Sequence, residues 1–301
     1  MSEENKWTTK NIPDQSGKVV IVTGANSGIG YEASRALALR GATVVMACRS
    51  LQKGELALEQ ILSENPKGQL ILHQLDLASL RSVQRFSAEF LAEFDRLDIL
   101  INNAGVMATP YRKTEDGFEL QFGTNHLGHF KLTGLLFHLL KSTPSSRVVT
   151  VSSYAHYFGR INFSDLNSES SYQKWLAYGQ SKLANVLFGY EIQRRAARNG
   201  NSPISIVAHP GYAATNLQHT SSLFSFLNRF MAQSPRMGAL PVLYAATSPE
   251  VQGGEFIGPD GFLAQRGYPH QSRSSRRSYD QETARRLWEV SEDLTGIRFN
   301  I

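Results

Sequence analysis

The chain has 301 residues, 41% hydrophobic and 19% charged, ordinary values for a folded globular domain that exclude collagen, a coiled coil and wholesale disorder. The formal charge of +5 raises nucleic acid or anionic lipid as partners, but six arginines between Arg266 and Arg286, against Asp280 and Glu282, hold most of the surplus. A basic polar loop over 266–279 is therefore expected rather than a nucleic-acid surface. The N-terminus, MSEENKWTTKN, has no apolar core or cleavage site, and stretches such as Leu132 to Leu140 are too short to span a bilayer. With one cysteine, Cys48, no internal disulfide forms, and a cytoplasmic protein without an integral membrane segment is expected.

Residues 1–14 read as an N-terminal extension and 15–301 as a single domain. KVVIVTG, Lys18 to Gly24, is a buried-strand run that ends in a glycine-rich turn; Ile29 to Arg40 then has helical spacing. TVVMACR, LILHQLD, LDILINNAG, SRVVTVSS and ISIVAHPG are further strand runs separated by helical patterns. Alternating strands and helices predict an α/β fold, a doubly wound parallel sheet of Rossmann type with helices on both faces. The strands are continuous apolar runs, as expected when both faces are covered. Ligands in such sheets sit at the carboxyl ends of the strands. That directs attention to Thr23–Gly30, Cys48–Lys53, Asp76–Leu77, Asn102–Gly105, Ser152–Ser153 and Pro210–Thr215.

In TGANSGIG the glycines fall at Gly24, Gly28 and Gly30, with Asn26, Ser27 and Ile29 between and beside them. Glycines let the backbone turn tightly and approach phosphates, and the amides of the following helix favour a pyrophosphate. A carboxylate at the end of the second strand usually marks NAD. None occurs between Glu32 and Glu55; Arg49 and Lys53 stand there instead. A guanidinium attracts a 2′-phosphate, so NADP(H) is the expected cofactor. Asp76, with Leu77 beside it, suits an adenine contact.

YGQSK places Tyr178 and Lys182 four residues apart in the helical stretch WLAYGQSKLANVLFGYEIQRR, so both lie on one face. An ammonium at ~4 Å in an effective dielectric of ~20 favours a phenolate by roughly 4 kcal/mol. The phenol pKa is then expected to fall by about three units, towards the range useful for acid–base work. Ser152 and Ser153 end the strand SRVVTVSS, where a hydroxyl can hold a carbonyl oxygen. Asn125 interrupts a helical pattern and can hold a water beside Lys182. His126, His129, His138, His156 and His209 are dispersed over different elements, so no metal site is expected.

The order TGANSGIG, NNAG, Asn125, Ser153, Tyr178-x-x-x-Lys182 and PGYAAT resembles the short-chain dehydrogenase/reductase family. ACRSLQKGE, TNHLGHF, VSSYAH, QSKLANVLF, HPG and LWEVSEDLTG resemble its retinol-dehydrogenase-like subgroup, which includes the WW-domain oxidoreductases. The likeness runs from about Asp14 to Phe299. It implies a catalytic tetrad at Asn125, Ser153, Tyr178 and Lys182, with Ser152 structural. Tyr178 would exchange a proton with a carbonyl or alcohol oxygen that Ser153 positions. Lys182 would bind the nicotinamide ribose and Asn125 would anchor a relay water. Asn102, Asn103, Ala104 and Gly105 would support the cofactor from the fourth strand, and Pro210, Gly211 and Thr215 would border the nicotinamide.

Tyr178 lies 25 positions after Ser153, about twice the family's common spacing, and an apolar N-terminal anchor like that of membrane retinol dehydrogenases is not expected from MSEENKWTTKN. A lid is expected at 216–235, where Leu223, Phe224, Phe226, Leu227, Phe230 and Met231 crowd together, pointing to a lipophilic carbonyl or alcohol. Family members often associate through the helices that bear Asn125 and Tyr178, so a homo-oligomer is open. Two other readings remain: a non-catalytic NADP(H)-binding scaffold or sensor, and an enzyme like protochlorophyllide reductase. The latter relies on a lid cysteine that this chain lacks.

Overall fold

Continuous apolar strands need cover on both faces, and the computed structural model, which describes residues 6–199, 203–211, 233–261 and 264–301, supplies it. Strands β1 (Val19–Thr23), β2 (Thr43–Cys48), β3 (Leu70–Gln74), β4 (Ile99–Asn102), β5 (Arg147–Val151), β6 (Ile204–Ala208), β7 (Phe256–Pro259) and β8 (Pro269–Ser272) form one sheet. Its order is β3-β2-β1-β4-β5-β6-β7-β8. The pairs are parallel except β7 with β8, which is antiparallel. The order reverses between β1 and β4, so the crevice at their carboxyl ends is the switch point of a doubly wound fold.

Alternation along β1 shows how the two cores divide. Val20 and Val22 point into one cluster with Ala33 and Leu37 of helix α1 (Gly28–Leu39). Val19 and Ile21 point into the other, with Val83, Phe86 and Phe90 of helix α3 (Leu80–Glu93). Helix α2 (Leu51–Leu62), between them in the chain, starts at Ser50, whose hydroxyl accepts from the Lys53 amide. Below β4 the chain makes a short turn of α-helix at Leu120–Phe122, a π-helical turn at Gly123–Leu127 and then helix α4 (Gly128–Ser142). Helix α5 (Lys174–Ala196) is buried on all sides through most of its length. Helices α6 (Pro235–Thr247) and α7 (Gln281–Thr295) complete the layers.

Two expectations need correction. Residues 266–279 are not simply a polar loop: they contain β8 and a 3-10 turn at Arg276–Tyr279, with Ser274, Ser275 and Ser278 buried. Their order comes from partners elsewhere in the chain, which a local composition of Arg and Ser does not reveal. The N-terminal extension is part of the core from Ile12, 2% exposed, while Arg40 donates to the Thr9 and Lys10 carbonyls. On α4 and α5, the expected association helices, Phe130 and Phe188 are covered by Trp288 of α7 at ring-centroid distances of 5.1 and 5.9 Å. Part of that face is thus filled by the chain's own C-terminal helix.

Candidate active site at the carboxyl edge of the sheet

The turn after β1 is built from backbone. Gly24 has φ +67°, and its amide donates to the Ala47 carbonyl at the end of β2. A Cβ on Gly30 would come within 2.3 Å of the Gly24 carbonyl oxygen, so α1 can approach the turn only with glycine there. Gly28 and Ile29 open α1, behind Ser27, whose side chain makes no cap bond. The first amides of α1 are therefore left for another acceptor. Burial pushes the Cys48 thiol up to about 11, against a downward pull from the amides of Ala25 and Asn26. Arg49 and Lys53 follow at once, exposed, and neither forms an ion pair among the described residues.

A hydroxyl ties the turn to the strand beside it. Thr23 Oγ1 accepts from the amides of Asn103 and Ala104, both at 2.9 Å, and the Asn103 side chain donates to the Thr23 carbonyl at 2.8 Å. His129 stands 2.9 Å from Thr23 Oγ1 through Nε2 and 2.9 Å from the Asn125 carbonyl through Nδ1. A carbonyl only accepts, so Nδ1 carries the proton and Nε2 accepts from the Thr23 hydroxyl. Burial lowers the His129 pKa to about 4, so the ring is neutral at pH 7.

Asn125 sits in the π-turn, a distortion frequent at functional sites. Its Oδ1 accepts from the Val106 amide at 2.8 Å; its Nδ2 donates to the Val106 carbonyl and to Ser181 Oγ, each at 2.9 Å. The side chain is thus occupied in pinning the segment after Gly105. Gly105 faces Asn125 and Lys182: a Cβ there would lie 2.9 Å from Asn125 Oδ1 and 3.5 Å from Lys182 Nζ. That space is a cradle a side chain would fill. With the open amides of α1 and the free cations after β2, it suits a dinucleotide.

Tyr178 and Lys182 both lie within α5, 7% and 4% exposed. Lys182 Nζ is 5.8 Å from the Tyr178 ring centre and donates to the Val151 carbonyl at 3.2 Å. Ser152 donates to the Lys182 carbonyl at 2.8 Å and so braces α5 against β5, a structural role. Ser153, half-buried, stands near enough to the Tyr178 phenol to pull its pKa down. The electrostatics reverse the expected shift. Burial raises the Tyr178 pKa to about 12, against a downward pull from Ser153, and burial lowers Lys182 to about 8. Both charged forms lose water on burial, which disfavours each of them.

Other expected positions divide. Asp76 is half-buried and accepts from the Ala78 amide at 3.0 Å. The Leu77 carbonyl packs on Gly128, where a Cβ would lie 2.4 Å away. Asn102 turns away from the crevice, donating to Thr133 Oγ1 at 3.0 Å. Pro210 accepts from Gln233 Nε2 at 2.6 Å, and Gly211 has φ +71°. Thr215, the cluster Leu223, Phe224, Phe226, Leu227, Phe230 and Met231, and all of the lid up to 232 lie outside the described residues. The expected lid end, at 235, is the first residue of α6, capped by Ser234. Sequence reasoning missed the roles of Thr23 and His129; the i, i+4 spacing of Asn125 and His129 was the available signal.

A family model for short chain dehydrogenases matches residues 18–224. Retinol dehydrogenase 14 of Mus musculus is 44% identical over 300 residues, spanning 93% of this chain and 86% of that protein. The crystal structure of an uncharacterised protein from Mycobacterium paratuberculosis is also 44% identical. It matches with a TM-score of 0.83 over 99% of this chain and 100% of that one. The RhlG/NADP active-site complex of Pseudomonas aeruginosa, 22% identical, shares the fold with a TM-score of 0.66 over 83% of this chain and 97% of that one.

Proposed function

The chain belongs to the short-chain dehydrogenase family, among its retinol-dehydrogenase-like members, and from that premise we propose that it is an NADP(H)-dependent oxidoreductase interconverting a carbonyl and an alcohol on a lipophilic small molecule. The observation that carries this reading is the convergence of Ser153, Tyr178 and Lys182 beside Gly105, at the edge where the glycine turn opens. Arg49 and Lys53, free cations in the place of a carboxylate, favour a 2′-phosphate. The likeness to a protein named for retinol supports a lipophilic substrate.

Gly24, Asn26, Ser27, Gly28, Ile29 and Gly30 would hold the pyrophosphate, and Asn103, Ala104, Gly105, Lys182, Pro210 and Gly211 the nicotinamide end. A reduced nicotinamide bound there supplies the hydride. Ser153 positions the carbonyl oxygen by hydrogen bond. Tyr178, protonated at neutral pH because its pKa is held near about 12, donates its proton to that oxygen. The phenolate left behind is offset by the Lys182 ammonium and regains a proton from solvent. For the reverse reaction the same phenolate accepts the alcohol proton.

The test is a panel of apolar aldehydes and ketones with NADPH, run on the wild type and Tyr178→Phe. Turnover should fall about 10²- to 10⁴-fold in the variant, while NADPH binding stays within about twofold. A variant that turns over as the wild type does refutes the acid–base role, and a wild type silent on every carbonyl favours the scaffold reading.

A further inference from the structure

Ser153 can orient a carbonyl oxygen only if its own backbone is fixed, and it sits at the start of a 3-10 turn, Tyr154–Tyr157, at the rim of the sheet. The following side chains bind that turn to a distant part of the chain. His156 is fully buried, its ring 4.2 Å from the Tyr157 ring and 5.2 Å from that of Phe256. Its Nδ1 lies 2.7 Å from the Ser153 carbonyl oxygen, and the Ser275 amide donates to its Nε2 at 3.0 Å. A carbonyl accepts and an amide donates, so one tautomer satisfies both bonds: neutral, with the proton on Nδ1. The Ser153 carbonyl also accepts from the His156 amide at 3.0 Å, so one residue holds it twice. Two neighbours reinforce the link. The Tyr157 hydroxyl donates to the Arg273 carbonyl at 2.7 Å, and Arg277 donates to the carbonyls of Tyr157 and Gly159.

We propose that His156 is a positioning residue for the reaction: it anchors the backbone of Ser153 to Ser275 and thereby holds the Ser153 hydroxyl against Tyr178. The proposal rests on the functional reading above. It also gives the segment 273–278, basic and serine-rich in sequence, a task as the fixed post of that anchor. A charged imidazole would forfeit the bond from Ser275, and burial, which lowers the His156 pKa to about 4, keeps the ring neutral.

Three variants separate positioning from packing. His156→Phe removes both bonds. His156→Asn can place an amide N–H where Nδ1 stands and keep the bond to Ser153. His156→Gln can offer an acceptor to Ser275 alone. The expected result is a kcat at least 10-fold lower in His156→Phe, with NADPH binding within twofold of wild type, most of the loss restored in His156→Asn and little in His156→Gln. A kcat within twofold of wild type in His156→Phe, or kcat values that simply follow Tm across the three variants, overturns it. Two NMR readings are independent of turnover. The ¹⁵N spectrum of wild-type His156 should show the Nδ1-protonated tautomer, and the ¹³Cζ titration of Tyr178 should move to higher pH in His156→Phe. An Nε2-protonated or charged ring, or an unmoved Tyr178 titration, sinks the proposal even if the wild type proves inactive on every carbonyl tested.

Discussion

The crevice has two halves built by opposite means. The half over β1, β2 and β4 is made mainly of backbone: glycines, open helix amides, and the Asn103 and Ala104 amides that Thr23 Oγ1 holds. Its charges, Arg49 and Lys53, stand in water. The half over β5 and α5 is made of buried side chains, where Tyr178 and Lys182 are pushed away from their charged forms. The first half is set by shape. The second is set by desolvation, so single atoms there govern proton transfer. The two meet at His129, which bonds Thr23 on one side and Asn125 on the other.

The contrast is tested most severely by Lys182→Met. If the second half works through a desolvated charge, turnover should drop about 10²- to 10⁴-fold. The fold should not suffer, because the ammonium lowered to about 8 by burial is itself a cost. Steady-state kinetics beside a thermal melt decide this; a large drop in Tm would mean that the lysine is structural. Acid comes next. His126, His129, His156 and His209 have pKa values lowered by burial to about 3, 4, 4 and 3. Below about 6.5 the unfolded chain takes up protons that these rings refuse in the folded state. Stability is therefore complete above about 6.5 and falls as pH drops towards about 4. The slope is up to about 1.4 kcal/mol per pH unit for each ring. Urea melts at pH 7 and pH 5 with equal midpoints would contradict the burial of these groups.

The same division explains what was readable in the sequence. Strands β1 to β6 declare themselves as apolar runs, and the glycine turn as a pattern of residues with a conformational need. Tyr178 and Lys182 were legible as a spacing, but the sign of the Tyr178 shift was not, because it depends on how much water the fold removes. Residues 266–279 read as loop, since β8 and the turn after it are held by Tyr157, His156 and Tyr190 from elsewhere. For the first half, Gly30→Ala is the direct test of shape. Its Cβ would meet a backbone oxygen that cannot move aside, so a loss of ~1–3 kcal/mol in stability and at least tenfold weaker NADPH binding are expected. An unchanged melt and an unchanged titration would show that the turn tolerates bulk.

The smallest expected effect bears on the exposed charges. Arg49 is solvated, and among the described residues its guanidinium has no ionic partner. Removing it should leave stability within about 0.5 kcal/mol of wild type. A hydrogen bond to a charged group is worth about 1.5–3 kcal/mol, so Arg49→Ala should reduce the preference for NADPH over NADH by roughly 10- to 100-fold. The loss should appear in kcat/KM for NADPH, with the value for NADH unchanged, since a ribose hydroxyl offers the guanidinium no charge. If instead both values fall together, Arg49 supports the turn rather than the 2′-phosphate. If Lys53→Ala produces the larger shift, the phosphate lies nearer the first turn of α2 than the end of β2. A ratio that moves in Arg49→Ala while the Tyr178 titration stays fixed would show that the two halves act separately.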